Sequence, residues 1–372
     1  MKLQQHHLHD LATGAAFLAT GGGGDPYLSM LCARQALADD VSVDLITMEE
    51  LADDAIIVAV GAVGAPTTSL ELLPSVDDPA KALAAYQAHT GQHIDAIVAF
   101  EIGGGNSLIP VAAAAAAGIP LIDGDGMGRA LPEVQMMTYS IAGISPTPSV
   151  ALDYAGNSQL FDAMDVFDYE EQIRRFAMQR GGMITTVEFC MTAAELRQCL
   201  VPDTVSLAIA IGAVLNQGHG NAAQLMEPIA QLFSDTAYGR VMTLVTGTVT
   251  DQVTSVEGGY DIGYATIRSE HDGNDYHIDI KNEYLTLMQE GRALASVPDL
   301  ITILDTETGM PINGERLQYG QRVTVIGIGC PHHFRTPEAL AVVGPRCFGF
   351  NVDFIPIETL HTDPPSNPEG IS

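Results

Sequence analysis

Apolar residues recur along the first forty positions at helical spacing. Leu8, Leu11, Ala12, Ala15, Ala16, Leu18 and Ala19 give residues 8–19 a broad apolar face, and the run Gly21–Gly24 stops that helix. A second helix is predicted over 27–38, after which Val41 to Ile46 alternates as a strand does. The stretches 55–61 and 93–101 are apolar almost throughout and of strand length, the pattern of strands covered on both faces. Helical stretches at 78–91 and 107–117 separate them from a further strand ending at Asp123. Strands alternating with helices predict a parallel sheet with helices on both sides, a three-layer α/β/α arrangement.

Beyond about residue 165 the pattern changes. Residues 168–180 are rich in Glu and Arg, 183–189 read as a strand, and 204–216 are apolar enough for a buried helix. From Gly239 onward, Val, Thr, Ile and Tyr recur in short runs between Gly, Asp and Asn. These predict antiparallel strands at 241–256, 262–269, 275–281, 300–304, 321–328 and 351–355. The expected organisation is an α/β domain over 1–167 with a largely parallel sheet. A mostly-β, barrel-like domain follows over 168–360, with a helical insertion near 203–233, and a disordered tail over 361–372.

The chain of 372 residues is 47% hydrophobic and carries a formal net charge of −30, from 46 acidic and 16 basic residues. It can build a sizeable core, and it lacks the basic surface that nucleic acid or an anionic membrane demands. A small molecule is therefore the expected partner. No apolar run reaches the roughly 18–20 residues of a membrane span, and the first residues lack a signal-peptide core, so the cytoplasm is the expected compartment. The five cysteines include no Cys-x-x-Cys pair and are expected to be mostly buried thiols. A symmetric homo-oligomer is the common state for a soluble enzyme of this kind.

Polar residues set among glycines mark the candidate site. Three turns are expected at strand ends, Gly61–Pro66, Gly103–Ser107 and Asp123–Gly128, and ligands of open α/β sheets sit at the carboxyl ends of strands. Asp123 and Asp125, two apart, would face one side of an extended segment, near Glu101 if the strand order allows. Such carboxylates can hold a divalent metal, or one can keep the other protonated as an acid; both alternatives stay open. Arg129 and Glu133, four apart, would pair on a helix, although Pro132 between them favours an irregular turn. Gly22, Gly23, Gly24, Gly103 and Gly104 can present amides to a ring imide or a carboxylate. The first glycine run follows a helix and precedes no Gly-Lys-Ser/Thr, so no nucleotide is expected. Asn106 is a further polar candidate, Asn282 and Glu283 are a contribution from the second domain, and His332 and His333 read as adjacent strand residues facing opposite ways.

Six motifs together carry a family resemblance. They are Gly-Gly-Gly-Gly-Asp-Pro at 21–26, Glu-Ile-Gly-Gly-Gly-Asn-Ser at 101–107, the segment from Asp123 to Met136, Lys-Asn-Glu at 281–283, Pro-Asp-Leu-Ile at 298–301 and Val-Gly-Pro-Arg-Cys-Phe-Gly at 343–349. In this order they span nearly the whole chain, which resembles the S-methyl-thiohydantoin desulfurase family. The resemblance implies an N-terminal three-layer α/β domain, a C-terminal β-barrel-like domain and a hydantoin or thiohydantoin ring as substrate. The reaction expected is attack of an activated water on a ring carbon, with Asp123, Asp125, Glu101 or Glu283 as base. Glycine amides, Asn106 or Arg129 would stabilise the oxyanion. Two rivals remain: another ring amidohydrolase or carboxylase, and a non-catalytic subunit that hands the ring to a partner enzyme.

Overall fold

The computed structural model describes residues 1–65, 75–218 and 220–361. Pro66 of the first expected turn, His219 and the expected tail beyond His361 lie outside the described residues.

The first sheet contains β1 (Lys2–Leu3), β2 (Val43–Ile46), β3 (Ile56–Gly64), β4 (Ala96–Ala99), β5 (Leu121–Asp125), β6 (Ser149–Leu152), β7 (Ser158–Phe161), β8 (Met183–Thr192) and β9 (Val201–Pro202). Its order is β1-β2-β5-β4-β3-β8-β6-β7, with β9 paired to β5. The central four strands, β2, β5, β4 and β3, run parallel. On either side the pairing turns antiparallel, β1 with β2 and β8 with β3. The apolar runs behave as their composition dictates: all four residues of β4 and most of β3 are buried.

The helices are α1 (Leu8–Leu18), α2 (Pro26–Ala36), α3 (Asp78–Thr90), α4 (Ile109–Ala117), α5 (Thr138–Ile141), α6 (Val166–Gln179), α7 (Ala193–Leu196), α8 (Thr204–Gln217) and α9 (Ala222–Leu232). Helices α4 and α6 pack on β3, and α8 packs on β5 and α1. The segment from 166 to 217 thus serves the first sheet even though it follows the change in sequence pattern. Strand β8 returns to it by pairing antiparallel along the edge of β3, Ile184 opposite Val63 and Val187 opposite Val60, which buries Ile184, Val187 and Met191.

The second sheet comprises β10 (Val241–Glu257), β11 (Tyr260–Ser269), β12 (Asp275–Lys281), β13 (Glu283–Gln289), β14 (Arg292–Ser296), β15 (Leu300–Asp305) and β16 (Arg322–Ile328). It is antiparallel throughout, a curled half-barrel in the order β14-β13-β12-β11-β10-β16-β15. Val249, Ile267, Ile278, Leu287 and Val325 fill its own core. Val297, Leu300, Leu304, Ile326 and Ile328 instead join the large core of the first sheet, so apolar packing fastens the two halves together.

Three local expectations change. The expected turn at Gly61 is strand as far as Gly64, because residues 61–64 pair with Met183 to Thr186 of β8; the Phe100 ring against Gly61 leaves no room for a side chain there. Residues 351–355 form no strand; they alternate in sequence but find no neighbouring strand to pair with. The β13–β14 hairpin was not expected, since its turn is hidden in Glu290-Gly291, both with positive φ as a tight two-residue turn requires.

Candidate active site

A cleft of roughly 1380 Å3, counting its open mouth, lies between the carboxyl end of β4 and the start of β13. Glu101 enters it from the loop after β4, Asn106 from the 3-10 turn Gly104–Ser107, and Glu283 and Asn282 from the second sheet. This is where an α/β sheet whose strand order changes direction offers space.

Glu101 is buried and rigidly held. Asn106 Nδ2 donates to its Oε1 at 2.6 Å, and the Leu131 N–H donates to its Oε2 at 3.1 Å. Asn106 is clamped in turn to β3: the Ala62 N–H donates to Asn106 Oδ1 at 2.7 Å, and Nδ2 also reaches the Ala62 carbonyl at 3.2 Å. Burial pushes the Glu101 carboxyl up to about 8, and the two donors only partly oppose it. Glu283 is only 2% exposed, and its Oε2 has no hydrogen-bond partner. Burial first, then the nearby charge of Glu101, holds its proton affinity well above the usual carboxylate range, against the pull of Arg129. Two carboxyls from different domains therefore meet in one cleft, each with its hold on a proton raised.

The glycines serve the site mainly by close approach of backbone. The Gly105 N–H donates to the Gly23 carbonyl at 2.9 Å, and a Cβ on Gly23 would stand 2.4 Å from the Gly103 carbonyl oxygen. Both Gly23 and Gly104 have positive φ. A Cβ on Gly22 would meet Glu283 Oε1 at 2.1 Å, so that glycine makes room for the carboxyl. Gly23, Gly24 and Gly105 line the cleft, while Gly22, Gly103 and Gly104 stand behind it. The glycine run is also pinned to the second sheet. The Tyr284 N–H donates to the Thr20 carbonyl at 2.7 Å and the Gly314 N–H to the Gly21 carbonyl at 2.8 Å.

The two aspartates turn elsewhere. Asp123 Oδ1 accepts from the Val205 and Ser206 N–H groups at 3.1 and 3.0 Å and so caps α8. Asp125, fully buried, accepts from Ile102 N at 2.6 Å and from the Met127 and Gly128 amides, which binds the loop before α4 to the loop after β5. Burial lifts its carboxyl to about 7, opposed by those amides. Neither lines the cleft. Carboxylate oxygens occupied by N–H donors do not suit a divalent cation, and among the described residues no three His, Cys, Asp or Glu side chains converge as metal ligands would.

Arg129 is fully buried and makes no pair with Glu133. Its guanidinium donates to the Pro298 and Asp299 carbonyls at 3.0 and 2.8 Å, to Thr20 Oγ1 at 2.8 Å and to the Ala130 carbonyl at 2.9 Å. It is an interdomain clamp behind the site. Glu133, at the cleft wall, pairs with Lys281 of the second sheet instead. The helical pair fails because Pro132 keeps residues 128–133 out of a helix. Asn282 adopts φ +58 and exchanges hydrogen bonds with the Asp261 backbone, which aims Glu283 into the cleft.

Arg174 was missed from the sequence although it lines the cleft. It donates to Glu170 and to the Pro132 carbonyl, and it lies 4.3 Å from the centre of the Tyr260 ring. The Glu170–Arg174 spacing of four on α6 was the available signal. His332 and His333 sit on a 3-10 turn rather than a strand and stack with ring centres 4.1 Å apart. Cys347, expected to be buried, is exposed; partial burial raises its proton affinity, the reverse of an activated thiolate.

A mixed α/β sheet fused to an antiparallel half-barrel, with two buried carboxyls in the cleft between them, defines a two-domain α/β protein whose candidate site draws on both halves. Family models place it further. The S-Me-THD-like N-terminal domain matches residues 6–163 and the S-Me-THD-like C-terminal domain matches 164–357, so the chain belongs to the S-Me-THD-like family. The crystal structure of a protein from Chromobacterium violaceum has the same fold at 22% identity. It superposes with a TM-score of 0.79 over 96% of this chain and 100% of that one. No functionally curated protein matches the sequence. Among the described residues, no helix is long and apolar enough to cross a membrane.

Proposed function

We propose that the protein hydrolyses the C–S bond of an S-methyl-thiohydantoin-type ring, releasing methanethiol and leaving a hydantoin carbonyl. The observation that carries this reading is the meeting of Glu101 and Glu283 in one cleft, each buried and each strongly inclined to hold a proton. Family membership supports the ring as substrate.

The two carboxyls divide the work by their surroundings. Glu101 accepts two hydrogen bonds that favour its charged form, so it ionises first and serves as base. Glu283, with Oε2 unpartnered, keeps its proton and serves as acid. Ionised Glu101 takes a proton from the attacking water as the water oxygen bonds to the carbon bearing sulfur. Protonated Glu283 gives its proton to the adjacent ring nitrogen. In the tetrahedral adduct Glu283 then recovers a proton from the new hydroxyl, the C–S bond breaks, and Glu101 passes its proton to the departing sulfur. One water is consumed and both carboxyls return to their starting states. Asn106 holds Glu101 in place and thereby positions the base. Asp123, Asp125 and Arg129 hold the loops behind the cleft.

The test is methanethiol release from S-methyl-thiohydantoin by the purified protein and by Glu101→Gln and Glu283→Gln. Release by the wild type and its loss by roughly 100-fold or more in each folded variant are expected. Undiminished release in both variants would move the chemistry away from this pair. Release that requires a second protein would favour a subunit that hands the ring on.

A further inference from the structure

Arg129 is the largest fully buried side chain among the described residues, and its hydrogen bonds leave its charge unanswered. The guanidinium donates to the Ala130, Pro298 and Asp299 carbonyls and to Thr20 Oγ1, and every one of these acceptors is neutral. Such bonds fix the group in place, but a buried cation still demands a negative charge nearby. Burial draws its hold on a proton down to about 10, so it stays charged at neutral pH. The groups that face it are Glu283 on β13, Cys330 after β16, Asp299 before β15, Glu101 after β4 and the Tyr238 phenol. Burial keeps the thiol and the phenol protonated. Asp299 is engaged elsewhere: its two oxygens accept from the Cys330 and Ile357 N–H groups at 2.8 and 2.7 Å, and Arg335 lies 3.9 Å from it. That leaves the two cleft carboxyls. Glu283 also faces Lys281 and Arg174, but these cations are paired with Glu133 and Glu170. Glu101 also faces Asp125, whose oxygens are taken by amides.

Resting on the ring-hydrolysis reading, we infer that Arg129 is a positioning residue whose charge, bonded only to neutral oxygens behind the cleft, draws one proton off the Glu101–Glu283 pair and so furnishes the base. Arg129 touches no substrate; it acts through the two carboxyls. With its charge in place one carboxyl ionises while the other keeps its proton, so base and acid are present together. Without it both carboxyls hold their protons to higher pH, and the base is missing.

The experiment is the pH profile of kcat/KM for methanethiol release from S-methyl-thiohydantoin by the wild type and by Arg129→Met, from about pH 5 to about 9.5. The rising limb of the variant should move up by about one unit or more, so that its rate at neutral pH falls about tenfold while the rate at its optimum falls much less. A folded variant whose rate drops equally at every pH, with the limb unmoved, overturns the proposal and leaves Arg129 a clamp alone. Loss of that clamp can unfold the variant, so a second measurement keeps Arg129 in place. In Glu101→Gln, Glu283 is the one carboxyl of the pair left facing Arg129, and its protonated band in the infrared, assigned by its loss in the Glu101→Gln/Glu283→Gln double variant, should vanish by about pH 8. A buried carboxyl without a counter-charge would stay protonated, so a band that persists to about pH 9.5 overturns the proposal. A wild type that releases no methanethiol at any pH removes the hydrolysis instead, and the infrared titration then decides the role of Arg129 by itself.

Discussion

Replacing Glu188 with Gln should make the protein much less sensitive to rising pH. Glu188 lies on β8, fully buried, and neither carboxylate oxygen has an aligned hydrogen-bond partner. Burial lifts its proton affinity from 4.5 to about 8; the nearby Thr186 and Tyr169 hydroxyls favour the charge but too weakly to offset it. The sign follows from linkage. The folded chain holds a proton that the unfolded chain releases above 4.5, so the contribution is complete below that pH and is lost as pH rises towards 8. At 1.36 kcal/mol per unit, the 2.5 units between 4.5 and 7 correspond to about 3 kcal/mol lost by pH 7. Gln does not titrate, and the unpartnered hydroxyls of Ser149, Tyr169 and Thr186 stand ready for its amide. Chemical denaturation of both proteins at pH 4.5 and pH 7 measures the difference. The variant should gain about 3 kcal/mol on the wild type over that interval, an order-of-magnitude figure. Parallel stability curves would refute the reasoning, because they would mean that Glu188 is charged and solvated in the folded protein.

Three further outcomes are expected. Gly22→Ala puts a Cβ 2.1 Å from Glu283 Oε1, so turnover should fall by about 100-fold or more while circular dichroism still reports a folded chain. Asp123→Ala removes the cap of α8 and should cost about 1–2 kcal/mol in denaturation, with turnover per folded molecule close to wild type. The pH profile of kcat/KM should rise as Glu101 ionises near 8 and fall once Glu283, held well above the usual carboxylate range, loses its proton. A profile already flat from pH 5 to 9 would remove both carboxyls from the reaction.

Secondary structure was legible wherever a local pattern sufficed. The continuous apolar runs at 55–61 and 93–101 became β3 and β4 because strands covered on both faces need no polar alternation. The glycine run after α1 and the turn containing Asn106 were recognisable as site material, since buried polar groups among glycines have few other uses. Glu101, Asn106, Asn282 and Glu283 were all visible as candidates for the same reason, and they do line the cleft.

Direction and partnership were not legible. Asp123 and Asp125 looked like the chemical pair, yet both turn to backbone amides, because the carboxyl end of β5 happens to face the start of α8 and the loop after β4. Arg129 and Glu133 have the spacing of a pair, but each found a partner more than a hundred residues away in the second domain, Arg129 in the connection between β14 and β15 and Glu133 on β12. A sequence records which groups are costly to bury; which of them will share a cavity depends on strand order and on the packing of one domain against the other. Glu283 shows this most clearly, since its long-range neighbour Glu101 raises its hold on a proton and Gly22 gives it space. Local periodicity follows from covalent geometry and solvent exclusion alone, whereas proton affinity and reach are properties of neighbours that the chain meets only once folded.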